Sequence, residues 1–272
     1  MLFPAIVHAD NVILMIGDGM GENHLKCAAM DKDIYITSLP VKGSVHTRSA
    51  DSEITDSAAS ATAYSCGQKT NNSFLGKLPD QSDCLTIAEE AIQNGYAVGI
   101  YSNDSPTGAT PSAFYAHALN RRDQKKIEAD KEQAAKVMDI AVPVEKISDE
   151  VDARLDKLSH QSDKGFFAMF EGAKIDKSSH ANDLQKMKQE LYDFDYAVMK
   201  AGNFVHENPD TTLIVLADHE TGGLTDECVY TIKKHTGQDI PLYAYGKHAA
   251  LFEGVQDNTK IYEKIKQILF LK

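Results

Sequence analysis

Short apolar runs punctuate the chain at 11–16 (NVILMI), 97–102 (AVGIYS), 166–170 (FFAMF), 212–217 (TLIVLA) and 240–245 (IPLYAY). They are continuous and bounded by turn-forming or polar residues, as in strands buried on both faces of a parallel sheet. A weaker strand candidate lies at 41–47 (VKGSVHT). Between the strands, helical patterns occupy 57–65, 85–93, 111–119, 127–138, 144–158, 183–205 and 259–269. Strands alternating with helices predict an α/β fold, an open and mostly parallel sheet with helices on both faces.

The residues directly after these strands are chemically distinctive. NVILMI runs into Gly17-Asp18-Gly19, FFAMF into Glu171, and TLIVLA into Asp218-His219. In open α/β sheets, sites form outside the carboxyl ends of the strands, so three strand ends bring four potential metal ligands to one crevice. The stretches 122–139 and 145–164 are charged and helix-like, and read as solvated faces without a function.

Composition narrows the choice. With 272 residues, 42% hydrophobic and 25% charged, the chain is an ordinary globular one of one large or two small domains. A net charge of −12 argues against a dedicated nucleic-acid groove, which needs lysine and arginine stripes, and suits carboxylates that bind divalent cations. The cysteines Cys27, Cys66, Cys84 and Cys228 contain no C-x-x-C pair, which excludes a zinc ribbon. They are expected to be ordinary buried thiols, with a Cys66–Cys84 bridge left open. No apolar stretch is long enough to span a membrane. The start, MLFPAIVHAD, has a short apolar run and a small residue at Ala9 but no basic segment, and is read as the tail of an export signal or an N-terminal arm.

Each candidate motif has a plain reading when taken alone. Asp176 and His180 stand four apart, on one face of a helical turn, where an ion pair is as natural as half a zinc site. Asp218-His219, followed by Gly222-Gly223, could be a hydrogen-bonded turn, yet burying both groups is costly unless they are paired or hold a metal. IGDGMG lacks both the G-x-G-x-x-G spacing and a P-loop lysine, so its glycines serve a sharp turn that presents Asp18. Asp56-Ser57 would serve as a helix N-cap. A helix starting there would also aim free N–H groups at an anion, and with no Ser-His-Asp triad in sight a metal is the natural activator of Ser57.

In their order and spacing, NVILMIGDGMG, TDSAASATAYSCG, ATPSAFYAHALNRR, EGAKIDKSSHAND, LADHETGG and KKHTGQ resemble the alkaline phosphatase family, from the first strand almost to the C terminus. The resemblance implies a three-layer αβα sandwich with a mostly parallel central sheet, forming a single catalytic domain over 1–272. It implies two zinc ions and one magnesium. Asp176, His180 and His235 would hold the first zinc; Asp18, Asp218 and His219 would hold the second, with the Ser57 oxygen as its remaining ligand. Asp18 would also reach the magnesium site, completed by Thr110 and Glu171. Arg121 would clamp two phosphate oxygens, and Ser57 would be the nucleophile of a phosphoserine mechanism acting on small phosphate monoesters. Lys177 would either add charge near the phosphate or face solvent. Asp56 would fix the local turn rather than take part in the chemistry. A periplasmic or extracellular location and a homodimer belong to the same expectation.

Two departures from the family pattern stand out. Gly108 replaces the aspartate or histidine that the family commonly has near the third metal, which implies a weaker magnesium shell or an extra water. Only 49 residues separate Arg121 from Glu171 and 15 separate His219 from His235, so the insertions at 122–165 and 220–234 are short. A more open site, broader substrate acceptance and altered oligomerisation would follow. Of the rival functions, a sulfatase would need a C/S-x-P-x-R context that SAASATA does not provide. A phosphodiesterase would usually lack Thr110, Glu171 and Arg121. An inactive metal- or phosphate-binding relative would not need Ser57. His117 is expected to pack or hydrogen-bond beneath the arginine segment, and His24, His46, His160, His206 and His248 have no ligand partner at a suitable spacing.

Overall fold

The computed structural model describes residues 10–141 and 144–270, so the N-terminal segment 1–9, with its reading as a signal remnant, lies outside the described residues. The strands are β1 (Asn11–Gly17), β2 (Val41–His46), β3 (Ala97–Ser102), β4 (Asp139–Ile140), β5 (Phe166–Gly172), β6 (Thr211–Leu216), β7 (Glu220–Thr221), β8 (His235–Thr236), β9 (Ile240–Gly246) and β10 (Gly254–Asp257). The helices are α1 (Glu22–Ala29), α2 (Ser57–Cys66), α3 (Ile87–Gln93), α4 (Ala109–Ser112), α5 (Gln124–Ala134), α6 (Val151–Ser159), α7 (Lys174–His180), α8 (Leu184–Glu207) and α9 (Thr259–Phe270).

Eight strands form one sheet in the order β10-β2-β9-β6-β1-β5-β3-β4, and only β9 runs against the rest. The apolar runs occupy its centre because strands covered on both faces have no solvent side to fill with polar residues. Val12 through Ile16 are completely buried, as are Phe166 through Phe170 and Leu213 through Ala217. Helices α2, α3 and α9 pack together as one group, α1, α6 and α8 as another, and both groups reach the sheet. The result is the expected αβα sandwich.

Register decides where the chemistry falls. Ile16 pairs with both Glu171 and Leu216, and Ser102 pairs with Glu171. The carboxyl ends of β1, β3, β5 and β6 are therefore level, and the residues that follow them share one edge.

Local competition changes several expected helices. The segment 111–119 yields only the short α4, because Ala118 and Leu75 exchange backbone hydrogen bonds at 2.9 Å and draw the chain into a bridge. The helix expected at 144–158 starts regularly only at Val151. Ahead of it, Asp193 on α8 accepts from the Ile147 N–H at 2.9 Å and the Ser148 hydroxyl at 2.5 Å, holding a tight turn. The helix expected at 127–138 runs instead over Gln124–Ala134, started by Asp123 accepting from the Lys126 N–H. The cysteines are a further correction. All four are oxidised, as Cys27–Cys228 and Cys66–Cys84, with Cα atoms 5.7 and 6.0 Å apart. Cys27 and Cys228 are 201 positions apart in the chain and meet only in the fold.

Candidate active site and metal centre

Ser57 opens α2. Asp56 caps that helix, its Oδ1 accepting from the Ala59 N–H at 3.0 Å. The same carboxylate's Oδ2 accepts from the Ser73 N–H at 3.0 Å and from Arg121 Nη1 at 3.1 Å. The aspartate beside the nucleophile candidate thus fixes the turn, as expected, and also holds the guanidinium next to Ser57.

All ten residues of α2 are buried, which their small size permits. Four hydroxyls join it to neighbouring carbonyls, Thr62 Oγ1 donating to Phe74 O at 3.2 Å. Ser60 Oγ donates to Asp218 O at 2.7 Å, Tyr64 Oη to Ala217 O at 2.6 Å, and Ser65 Oγ to Ala113 O at 2.6 Å. Two of these acceptors lie just past β6, so α2 and the Asp218-His219 pair are locked together. The Ser57 hydroxyl ends up 3.2 Å from His219 Nε2.

Asp18, Asp218 and His219 form one cluster, with one ligand atom from each within 4.8 Å of the others. His219 and Asp218 are completely buried. Asp18 Oδ1 and Thr110 Oγ1 are buried without a hydrogen-bond partner, and Asp218 Oδ2 faces His219 Nε2 at 3.2 Å without hydrogen-bond geometry. Burial pushes the Asp18 carboxyl well above its ordinary range, and the negative charges of Asp218, Asp176 and Glu171 push it further. Burial likewise raises Asp218, and it lifts Glu171 to about 7 although Ser102 Oγ donates to its Oε2 at 2.5 Å. Desolvation drives His219 far below the usual histidine value. Acidic groups gathered around unpaired oxygens beside an imidazole have the donor chemistry of a cation site.

Asp176, His180 and His235 form the second cluster on the same geometric test. Asp176 and His180 share a face of α7, as their spacing predicts, and His180 Nε2 stands 3.3 Å from Asp176 Oδ1. His180 Nδ1 donates to Lys233 O at 2.8 Å and His235 Nδ1 to Thr55 O at 3.0 Å. A carbonyl can only accept, so in the neutral rings both Nε2 atoms carry lone pairs. Those lone pairs face each other at 3.2 Å, an arrangement suited to a shared cation or proton. The donor sets of both clusters fit zinc. Asp18, Thr110 and Glu171, all oxygen ligands, fit magnesium.

Lys177 is held by Asp104 Oδ1 at 2.5 Å, with its side chain 55% exposed. His117 and His24 behave as structural residues. His117 bonds Gly76 O and Glu89 Oε1, and His24 accepts from the Gly21 N–H and bonds Ser179 Oγ.

The alkaline phosphatase family model matches residues 9–144, 143–233 and 226–271. The chain belongs to the alkaline phosphatase family. It is 31% identical over 299 residues to an alkaline phosphatase of Schizosaccharomyces pombe, covering 79% of this chain and 56% of the relative. The Escherichia coli alkaline phosphatase is 26% identical over 409 residues, covering 97% of this chain and 87% of the relative. The solved alkaline phosphatase of the Antarctic bacterium TAB5 superposes with a TM-score of 0.87 at 28% identity, covering 95% of this chain and 97% of that one. A mutant of the TAB5 protein was solved with Mg bound in its M3 site. The chain spans 56% of the length of the S. pombe relative and 62% of alkaline phosphatase 4 of Bacillus subtilis, against 88% of alkaline phosphatase 3 of the same organism.

Sequence reasoning missed several residues that build this family site: Ser60, Tyr64, Ser102 and Thr221. Tyr64 had left a signal, as the one bulky side chain in a helix of small ones. The hydroxyls left none, because serine and threonine are common wherever a backbone group needs a partner.

Proposed function

We propose that the chain is a metal-dependent phosphomonoesterase acting through a phosphoserine on Ser57. The observation that carries this reading is the buried Ser57 hydroxyl at a helix N-terminus, 3.2 Å from His219 Nε2, with Arg121 fixed on the carboxylate of the preceding residue. Asp176, His180 and His235 would hold one zinc, and Asp18, Asp218 and His219 the other. Asp18, Thr110 and Glu171 would hold magnesium. These ions would supply Lewis-acid stabilisation to the oxygens that gain negative charge.

The chain's own groups supply the rest. Arg121 has donors beyond the one given to Asp56, and they would grip two non-bridging phosphate oxygens. The N-terminus of α2 adds its dipole to that grip. Ser57 Oγ gives up its proton and forms a bond to phosphorus as the bond to the leaving oxygen breaks, and that oxygen takes up a proton from water to depart as the alcohol. Water then attacks the phosphoserine, freeing phosphate and restoring the hydroxyl.

In this reading residues 1–272 act as one catalytic domain, with short insertions leaving the site open to varied small phosphate monoesters. Two disulfides suit an oxidising compartment, periplasmic or extracellular. Among the described residues no helix is long and apolar enough to cross a membrane.

The test is hydrolysis of p-nitrophenyl phosphate at alkaline pH with zinc and magnesium, against Ser57→Ala and a chelator-treated sample. Turnover that collapses in both controls supports the reading. Metal-loaded protein without turnover would favour a phosphate-binding relative. Preference for bis(p-nitrophenyl) phosphate would favour a diesterase.

A further inference from the structure

Thr221 is completely buried at the end of β7, and its side chain touches both ligand clusters. Its Oγ1 lies 2.6 Å from Asp176 Oδ1, in one cluster, and 3.2 Å from His219 Nδ1, in the other. A hydroxyl has one proton to give and lone pairs to accept with, and a carboxylate can only accept. The Thr221 proton therefore goes to Asp176, and its oxygen accepts from His219 Nδ1–H. That leaves Nε2 as the unprotonated nitrogen of His219, the atom facing Ser57 Oγ and Asp218 Oδ2 at 3.2 Å each.

The backbone around Thr221 makes this contact obligatory. Its N–H donates to Gly19 O at 3.1 Å, and in the β7–β8 pair it stands opposite His235, a third ligand candidate. Gly19 has φ of +74°, and a Cβ there would sit 2.9 Å from Thr221 Oγ1 and 3.0 Å from Asp176 Cα. Only glycine lets the three segments approach so closely.

We propose that Thr221 is a positioning residue that couples the two clusters, setting the His219 tautomer in one while orienting Asp176 in the other. This rests on reading both clusters as zinc sites. Filling one then favours filling the other, because the shared hydroxyl is already ordered.

The experiment titrates metal-free protein with zinc against a chromophoric chelator, for the wild type, Thr221→Val and Thr221→Ser. Valine keeps the shape and removes the hydroxyl, whereas serine keeps the hydroxyl. The valine variant is expected to bind zinc about 10–100-fold more weakly, the usual cost of losing a partner of a metal ligand, with the serine variant near wild type. Nitrogen-15 NMR of metal-free wild type should show His219 protonated at Nδ1, and the valine variant should lose that preference. Thermal unfolding reports whether the valine variant folds. If it does not, the wild-type tautomer and the serine titration decide. Protonation at Nε2 in the wild type overturns the proposal, as does wild-type zinc affinity in a folded valine variant. Wild-type protein that takes up no zinc would sink the two-cluster reading itself, a separate result.

Discussion

The two clusters lie side by side, yet the protein builds them differently. Asp18, Asp218 and His219 follow the ends of core strands and are buried, with His219 fully inaccessible. Asp176, His180 and His235 come from a seven-residue helix and a two-residue strand, and the His180 side chain is 38% exposed. The sheet itself positions the first set. The second depends on the loop over residues 222–234, which is held by a disulfide and a few hydrogen bonds. Cys228 ties it to Cys27 on α1, Glu220 accepts from the N–H groups of Gly223 and Leu224 and from Thr236 Oγ1, and Tyr230 Oη donates to Ser179 Oγ. A buried, strand-borne site should be rigid but electrostatically costly without its cation. A loop-borne site should be cheap to form but easy to loosen.

The largest expected effect lies on the buried side. Ser57→Ala should lower turnover by on the order of 10⁴-fold or more, as loss of a nucleophile does. It should reduce zinc uptake by Asp176, His180 and His235 only through the link at Thr221, and so less than at the buried cluster; an equal loss at both, seen by chelator competition, would break the distinction between the clusters.

Electrostatic cost gives the second prediction. Asp18, Asp218 and Glu171 hold protons more tightly in the metal-free fold than in an unfolded chain. For such raised acids, stability is greatest at low pH and is lost as pH rises, for Glu171 between its ordinary 4.5 and about 7. Bound cations remove that cost. Glu171 alone should make metal-induced stabilisation larger at about pH 8 than at about pH 5, by roughly 2–3 kcal/mol. Denaturant unfolding with and without chelator measures it, and a pH-independent difference would contradict the prediction.

A smaller effect should appear on the loop-borne side. Replacing both Cys27 and Cys228 with serine is expected to weaken zinc binding at Asp176, His180 and His235 by about tenfold, on the scale of a lost supporting contact. The buried cluster should lose less. Glu220→Gln should do less, roughly a several-fold change in the same affinity, since an amide oxygen in the place of Oε2 can still accept from two of the three donors. Equal losses at both clusters in either variant would show that the loop supports the whole site.

Much of this was legible in the chain. Continuous apolar runs marked the central strands because a strand covered on both faces has only apolar neighbours. Acids directly after those runs marked the crevice, since strand register carries them there together. The spacing of Asp176 and His180 was readable because a helix returns to the same face every four residues. What failed was governed by distant partners: 111–119 lost its helix to a bridge with Leu75, and 144–150 to a carboxylate on α8.

By itself, then, the sequence determined the fold class and the family, since each is written in local composition, periodicity and motif order. Only the tertiary structure decided that Cys27 meets Cys228, that Asp56 holds Arg121, and that one threonine hydroxyl lies between two clusters. Those contacts span 201, 65, 45 and 2 positions in the chain. Even the shortest is meaningful only because Asp176 arrives from another element. A cysteine, an aspartate or a threonine looks the same in sequence whether or not the fold gives it a partner, and close packing alone supplies that partner.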